Sequence, residues 1–414
     1  MGKSAVNIVR PTDEAEPATY PMPRAAGCPF DPPPALTAPE AQQGMRKVRL
    51  WDGRWVWLVT KYSDVRALFA DQRVSHDTRH PSYPHESPGF KARAMQGQSF
   101  VNMDSPEHQR LRRMVTAPFA SRRVESMRPQ IQESVDGLID DMLAGPKPAD
   151  LVEAFALPVP SLIICLLLGV PVEKQSFFQE TARIIISTGS PPDVVNTAQG
   201  ALLDYLEGLV VEKMKHPGAD LLSDVAVKHV ATGGITAREA AISGRLLLVG
   251  GHETTANMIA LGTLALLQNP EQLAVLRDTD DPKLLASTVE EMLRYLSIAH
   301  IAPRRFALED IEMDGVTIRA GDGLALSLDA ANRSPEEFPD PQRLDLRRDA
   351  RKHVAFGFGP HQCLGQPLAR VELQIVYGTL YRRIPTLRLA IEPDQVDFKD
   401  EGIIYGVHSL PVTW

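Results

Sequence analysis

Residues 356–365 read Phe356-Gly357-Phe358-Gly359-Pro360-His361-Gln362-Cys363-Leu364-Gly365. Three glycines and a proline surround one cysteine, so the backbone can bend sharply and approach a flat ligand closely. Directly afterwards Leu364, Leu368, Val371 and Ile375 repeat at helical spacing. This places Cys363 at the mouth of a helix, where free N–H groups and the positive dipole end favour a thiolate. Taken alone, a cysteine so placed is more often a buried structural residue beside a Gly-rich turn.

The other two cysteines carry less. Cys165 lies in the apolar run SLIICLLL and reads as core filler, and Cys28 sits in a Pro-rich arm with no assigned role. An odd count without C-x-x-C argues against a disulfide framework or structural zinc. The 414 residues are 43% hydrophobic and 23% charged, ordinary values for a globular chain. A net charge of −8 argues against a nucleic-acid binder. The longest apolar run, Leu162 to Val170, is about half the ~20 residues a membrane span needs. The N-terminus has no apolar core, and Val6 stands where a myristoylation signal wants Ser or Thr. The expectation is a cytoplasmic protein without membrane insertion.

Upstream of the cysteine, Thr236-Ala237-Arg238-Glu239 has the form of a capping box, and Asn269-Pro270 ends the apolar run that follows. A helix of about 33 residues, roughly 50 Å long, is predicted. Its centre, Gly250-Gly251-His252-Glu253-Thr254-Thr255, breaks local rules. Paired glycines cost roughly 1 kcal/mol each against alanine, and a buried carboxylate needs a partner. Such failures mark functional sites, although a kink with a solvent-facing acid is the plain alternative.

The rest of the chain supplies a frame. Residues 1–44 form a Pro-rich N-terminal arm, and 45–414 read as a single domain. The run 48–60 reads as a hairpin around Asp52-Gly53, 61–70 as a short helix, and 76–99 as a long loop. Residues 105–268 are mostly helical. Stretches 302–326 and 396–414 read as short strands. The fold class is mostly α with a small β subdomain.

The cysteine segment resembles the haem-binding loop of the cytochrome P450 family, F-x-x-G-x-[HR]-x-C-x-G, with Phe356, Gly359, His361, Cys363 and Gly365 at its fixed positions. The helix centre resembles that family's oxygen-binding groove, [AG]-G-x-[DE]-T, and Glu291-Met292-Leu293-Arg294 matches its E-x-x-R pair. Residues 20–34 and 246–262 look especially like soluble actinobacterial members. Two positions depart from the usual pattern: Gly250 stands where alanine is frequent, and Leu344 where the family has phenylalanine.

The resemblance implies a cytochrome P450 fold holding haem b (heme b, iron protoporphyrin IX), with Cys363 as axial iron ligand. Gly250 and Gly251 would open room over the iron, and Glu253 with Thr254 would relay protons to dioxygen. His108, Arg112, Arg305 and His361 would bind the haem propionates. Glu291 and Arg294 would be structural, supporting the cysteine loop together with residues 332–348; alone, E-x-x-R usually means a surface ion pair. Leu246, Leu247, Leu248, Val249, Ile298, Ile301, Ala302, Ile403 and Ile404 would line the pocket of a bulky apolar substrate, along with residues 78–100 and 184–195.

The implied activity is haem-thiolate monooxygenation by a monomer, O2 being the co-substrate. Electrons would come from NAD(P)H through a ferredoxin reductase and a ferredoxin, since the chain has no G-x-G-x-x-G segment and few cysteines. Arg110, Arg113, Arg122, Arg123 and Lys352 offer a basic docking patch, or simply a solvated face. A peroxide-driven peroxygenase is the alternative, which would be expected to lack the acid–alcohol pair. A haem sensor would be expected to use a histidine ligand, and a cysteine hydrolase would need a base that the sequence does not identify.

Overall fold

The computed structural model describes residues 18–25, 27–38, 44–94, 97–187, 189–400 and 402–414. Residues 1–17, 26 and 39–43 of the expected arm lie outside the described residues. The described part of the arm packs on the body. Tyr20 is buried, its hydroxyl accepts the Ala302 N–H at 2.8 Å, and its own N–H donates to the Arg49 carbonyl.

The predicted hairpin is formed by β1 (Met45–Arg49) and β2 (Trp55–Val59), antiparallel with Met45 opposite Val59. Gly53 takes a φ of +82° in its turn, which a side chain would resist. Val48, Val56 and Leu58 point inward while Arg49 and Trp55 stay exposed, the alternation of a half-buried sheet. Strands β3 (Val74–Ser75), β4 (Ala149–Asp150), β5 (Arg304–Ala307), β6 (Ile311–Met313), β7 (Val316–Ile318), β8 (Gly323–Leu326), β9 (Arg388–Leu389) and β10 (Pro411–Thr413) follow. A five-stranded sheet has the order β1-β2-β8-β5-β3, β4-β10-β9 make a second and β6-β7 a hairpin. Among the described residues of 396–414, read as strands, the structure forms only β10 and isolated bridges such as Phe398 with Val407. The two-residue strands β3, β4 and β9 are too short to leave a periodicity in sequence.

Helices dominate. Those that frame the site are α1 (Tyr62–Ala70), α2 (Glu107–Thr116), α3 (Arg128–Ala144), α4 (Pro158–Leu168), α5 (Gln175–Ile186), α6 (Pro192–Lys215), α7 (Ala237–Leu267), α8 (Pro282–Leu296) and α9 (Gln366–Arg383). The stretch 76–99, expected to be a loop, contains a short helix at Pro88–Ala94. Its proline sits in the first turn, where the fixed φ starts a helix rather than breaking one.

Helix α7 is the long helix of the sequence, and its predicted capping box is formed: Thr236 and Glu239 each satisfy the other's backbone N–H. At ~1.5 Å per residue it spans ~46 Å. From Ala256 to Leu266 it is buried on all sides, so it runs through the core between α4, α6 and α9. Gly262 permits the α9 crossing. A Cβ there would meet the Tyr377 hydroxyl oxygen at 2.0 Å, and that hydroxyl donates to the Met258 carbonyl at 2.6 Å. Among the described residues no helix is long and apolar enough to cross a membrane.

Candidate active site

The cysteine loop is seated on the end of α1. Gly357 and Gly359 have φ of +69° and +74°, and a Cβ on Gly359 would meet the Phe69 carbonyl oxygen at 2.7 Å. The Cys363 N–H donates to the Phe356 carbonyl at 2.9 Å, closing the loop. Helix α9 begins three residues after the cysteine. Cys363 is an exposed residue, although protein crowds round its thiol. Burial pushes its thiol up, while the N–H groups of Gly365 and Gln366 and the charges of Arg112 and Arg370 pull it down. Burial wins, so the helix mouth does not by itself make the thiolate expected from the sequence. A cation bonded to sulfur removes the proton outright.

Helix α7 presents an open side. Between 246 and 255 the accessible stripe comprises Leu246, Val249, Gly250, Gly251 and Thr254, which lie on one side of the helix. A Cβ on Gly250 would meet nothing within 4 Å. Gly251 differs from Gly250: a Cβ there would meet Ile164 at 3.0 Å, so this half-exposed glycine lets α7 approach α4. Leu248 is also corrected. It is 1% exposed and lies about 200° round the helix from Gly250, inside the core. Leu247 is in the core as well, and the stripe carries its neighbours Leu246 and Val249 instead.

Glu253 is buried, and Lys399 and Asn257 supply its partners. Its Oε2 lies 3.7 Å from Lys399 Nζ and accepts from Asn257 Nδ2 at 3.3 Å. Lys399 is delivered by the C-terminal segment, where its N–H donates to the Gly406 carbonyl. Thr254 Oγ1 donates to the Gly250 carbonyl at 2.6 Å rather than to Glu253. Adjacent helical residues point about 100° apart, so the acid and the alcohol are not directly joined. The sequence reading missed both Lys399 and Asn257.

The four expected propionate residues are drawn together. His108 and His361 stack with ring centroids 4.0 Å apart. Arg112 Nη2 donates to the Gln362 carbonyl at 2.6 Å and Arg305 Nη1 to the Arg304 carbonyl at 2.6 Å. Both nitrogens of His108 and Nδ1 of His361 are buried without a hydrogen-bond partner among the described residues. Burial, reinforced by nearby cations, lowers both imidazoles, His361 to about 3. Two guanidiniums and two neutral imidazoles with spare donors suit a dicarboxylate. With the exposed cysteine and the side-chain-free Gly250, they fit a haem.

Segments 298–301 and 402–405 are brought side by side: the Tyr405 N–H donates to the Ile298 carbonyl at 2.7 Å, and His300 bonds the Gly402 carbonyl at 2.7 Å. Ile298, Ile301, Ile403 and Ile404 are half-buried there. In the basic patch, Arg110 is paired with Glu107 and Lys352 with Glu337. Arg113, Arg122 and Arg123 stay exposed.

Glu291 and Arg294 form a bidentate pair at 2.7 and 2.8 Å, both side chains with zero exposure. Arg294 also donates to the carbonyls of Asn332 and Pro341, and Glu291 accepts from the Asp345 N–H. Asn332 Oδ1 accepts the Val354 N–H at 2.7 Å, linking the pair to the strand of chain entering the cysteine loop.

A second network went unnoticed in sequence. Glu290 accepts from Arg370 at 2.6 and 3.0 Å and bonds His353 at 3.1 Å, tying α8 to α9. Burial pushes the Glu290 carboxyl up, but His353 and Arg370 outweigh it and bring it from 4.5 down to about 2. A lowered carboxyl stabilises above its unfolded pKa and loses that contribution as pH falls through the folded one. A loss of about 3 kcal/mol is therefore expected between pH ~4.5 and ~2. Denaturation midpoints across that range should fall less steeply in Glu290→Gln; equal slopes would remove Glu290 as the cause.

A cysteine at the mouth of a helix with Arg112 of the cationic cluster near it suits a haem-thiolate protein, and the chain belongs to the cytochrome P450 family. The family model "Cytochrome P450" matches residues 212–401. Cytochrome P450 GfsF of Streptomyces halstedii is 54% identical over 98% of this chain and 99% of its own, and its crystal structure superposes with a TM-score of 0.90, covering 96% of this chain and all of that one. The vitamin D3 dihydroxylase of Streptomyces griseolus is 43% identical over 95% of this chain and 96% of its own. The structure of the mycinamicin VIII C21 methyl hydroxylase of Micromonospora griseorubida, bound to mycinamicin VIII, has a TM-score of 0.90 at 40% identity, covering 96% of this chain and all of that one. The protein is thus a P450 monooxygenase, and its family implies haem iron and O2.

Proposed function

We propose that residues 45–414 form one haem-binding unit in which Cys363 ligates the iron and which hydroxylates a bulky apolar small molecule. The balance is R–H + O2 + two electrons + two protons, giving R–OH and water. The observation that carries this reading is the open stripe of α7, where Leu246 and Val249 offer an apolar wall, Gly250 space and Thr254 a hydroxyl. When bound, the haem supplies the electron-transfer and dioxygen chemistry. Thr254 holds a water on the open side, and Glu253 hands on a proton and is recharged toward the Lys399 side. His108, Arg112, Arg305 and His361 hold the propionates. Ile298, Ile301, Ile403 and Ile404 complete the substrate wall. The vitamin D3 and mycinamicin VIII of the two hydroxylase relatives support a large apolar substrate.

Electrons arrive from NAD(P)H through ferredoxin reductase and a ferredoxin, which docks on the exposed Arg113, Arg122 and Arg123. The protein works as a cytoplasmic monomer.

Thr254→Ala should retain haem yet release reducing equivalents as hydrogen peroxide, with product per electron falling at least about tenfold. The measurement is NADPH consumed against product and peroxide formed. Unchanged coupling removes Thr254 from the relay. Equal turnover with hydrogen peroxide alone would instead favour the peroxygenase.

A further inference from the structure

The imidazole cluster has a third member that no motif singled out. The His76 ring meets the edge of His361, with centroids 5.1 Å apart and planes at 85°. Its Nδ1 is buried without a hydrogen-bond partner among the described residues, like the spare nitrogens of His108 and His361. The residue is held from behind. The His76 N–H donates to Asp104 Oδ1 at 2.9 Å, and Ser75 Oγ donates to Oδ2 of the same carboxylate. Asp104 is engaged by these backbone and hydroxyl donors, and it precedes α2, the helix of His108 and Arg112. His76 is therefore fixed to the same rigid element as two of the propionate residues. The groups facing its ring are Arg305, His361, His108 and Tyr83.

We propose that His76 is a further binding residue for the carboxylates of the cofactor, donating an imidazole N–H to the edge held by His108, Arg112, Arg305 and His361. This rests on the haem reading of the site given above. Arg112 and Arg305 match the charge of two carboxylates, but each commits an N–H to a backbone carbonyl. Two carboxylates offer roughly eight acceptor positions. Neutral imidazoles add donors there without adding charge to a buried site, where surplus charge is costly. Burial first, then Arg305, holds His76 well below its ordinary range, so it enters as a neutral donor.

The test compares the holoprotein carrying haem with the same protein carrying haem dimethyl ester, whose carboxylates are capped. The readout is the rate of cofactor loss to apomyoglobin. With haem, His76→Ala should lose cofactor about tenfold faster, the worth of one hydrogen bond to a charged group. His76→Gln, which keeps an N–H donor, should recover part of that. With the dimethyl ester, His76→Ala and the unsubstituted protein should match. No acceleration with haem, or equal acceleration with both cofactors, overturns the proposal, the latter by showing a packing role. Arg305→Gln separates the two levels. If it speeds haem loss while His76→Ala does not, only the His76 assignment fails; if neither does, the propionate cluster fails with it.

Discussion

Cys363→Ser is expected to abolish both the thiolate-type spectrum of the reduced carbon monoxide complex and the hydroxylase activity, while the fold survives. The loop around the residue is shaped by Gly357 and Gly359 and closed by the Phe356 carbonyl, none of which needs the sulfur. A serine oxygen accepts the same N–H groups of Gly365 and Gln366, so stability should change by no more than about 1 kcal/mol. What is lost is electronic. Oxygen is a hard donor, and the push that a thiolate gives toward O–O cleavage has no counterpart in an alcohol. Carbon monoxide difference spectra and thermal unfolding of the same preparation separate the two effects. An unchanged spectrum would remove Cys363 as the ligand.

Arg294→Ala should have the largest effect on stability. Glu291, a carboxylate with zero exposure, would keep a single cationic contact among the described residues, from Arg348 Nε at 3.2 Å, so the loss should fall toward the lower end of the about 3–5 kcal/mol that breaking a buried pair costs. That is a large share of the roughly 5–15 kcal/mol that holds a typical domain together. The loss spreads, because Arg294 also binds the carbonyls of Asn332 and Pro341, and Asn332 holds the Val354 N–H that leads into the cysteine loop. Little haem-loaded protein should be recovered at 37 °C. Arg294→Lys should recover only part of it, since a lysine cannot repeat the bidentate fork. The checks are the ratio of haem absorbance to protein and the denaturant midpoint. Full haem loading with an unshifted midpoint would reduce the pair to an ordinary ion pair.

Much of this site was legible in the chain because its chemistry lies in short spacings. The cysteine loop is ten residues long, the α7 groove five, and the glutamate–arginine pair four. Within such windows, torsional preference and helical geometry decide which side chains share a face. The same windows misled where facing mattered. Gly250 and Gly251 look equivalent in sequence, yet one is open and the other packs on Ile164. Leu247 and Leu248 read as pocket positions, yet the helix turns both into the core.

By itself, then, the sequence determined the mostly α class, the capped long helix, the Asp52-Gly53 hairpin and the residue types of the reaction centre. Only the tertiary structure decided that Lys399 partners Glu253, that Glu290 clamps Arg370 and His353, and that His76 joins His108 and His361. The reason is physical. Backbone conformation is set by neighbours a few bonds away, whereas a buried charge is satisfied by whatever the folded chain brings within about 4 Å, at any distance in sequence.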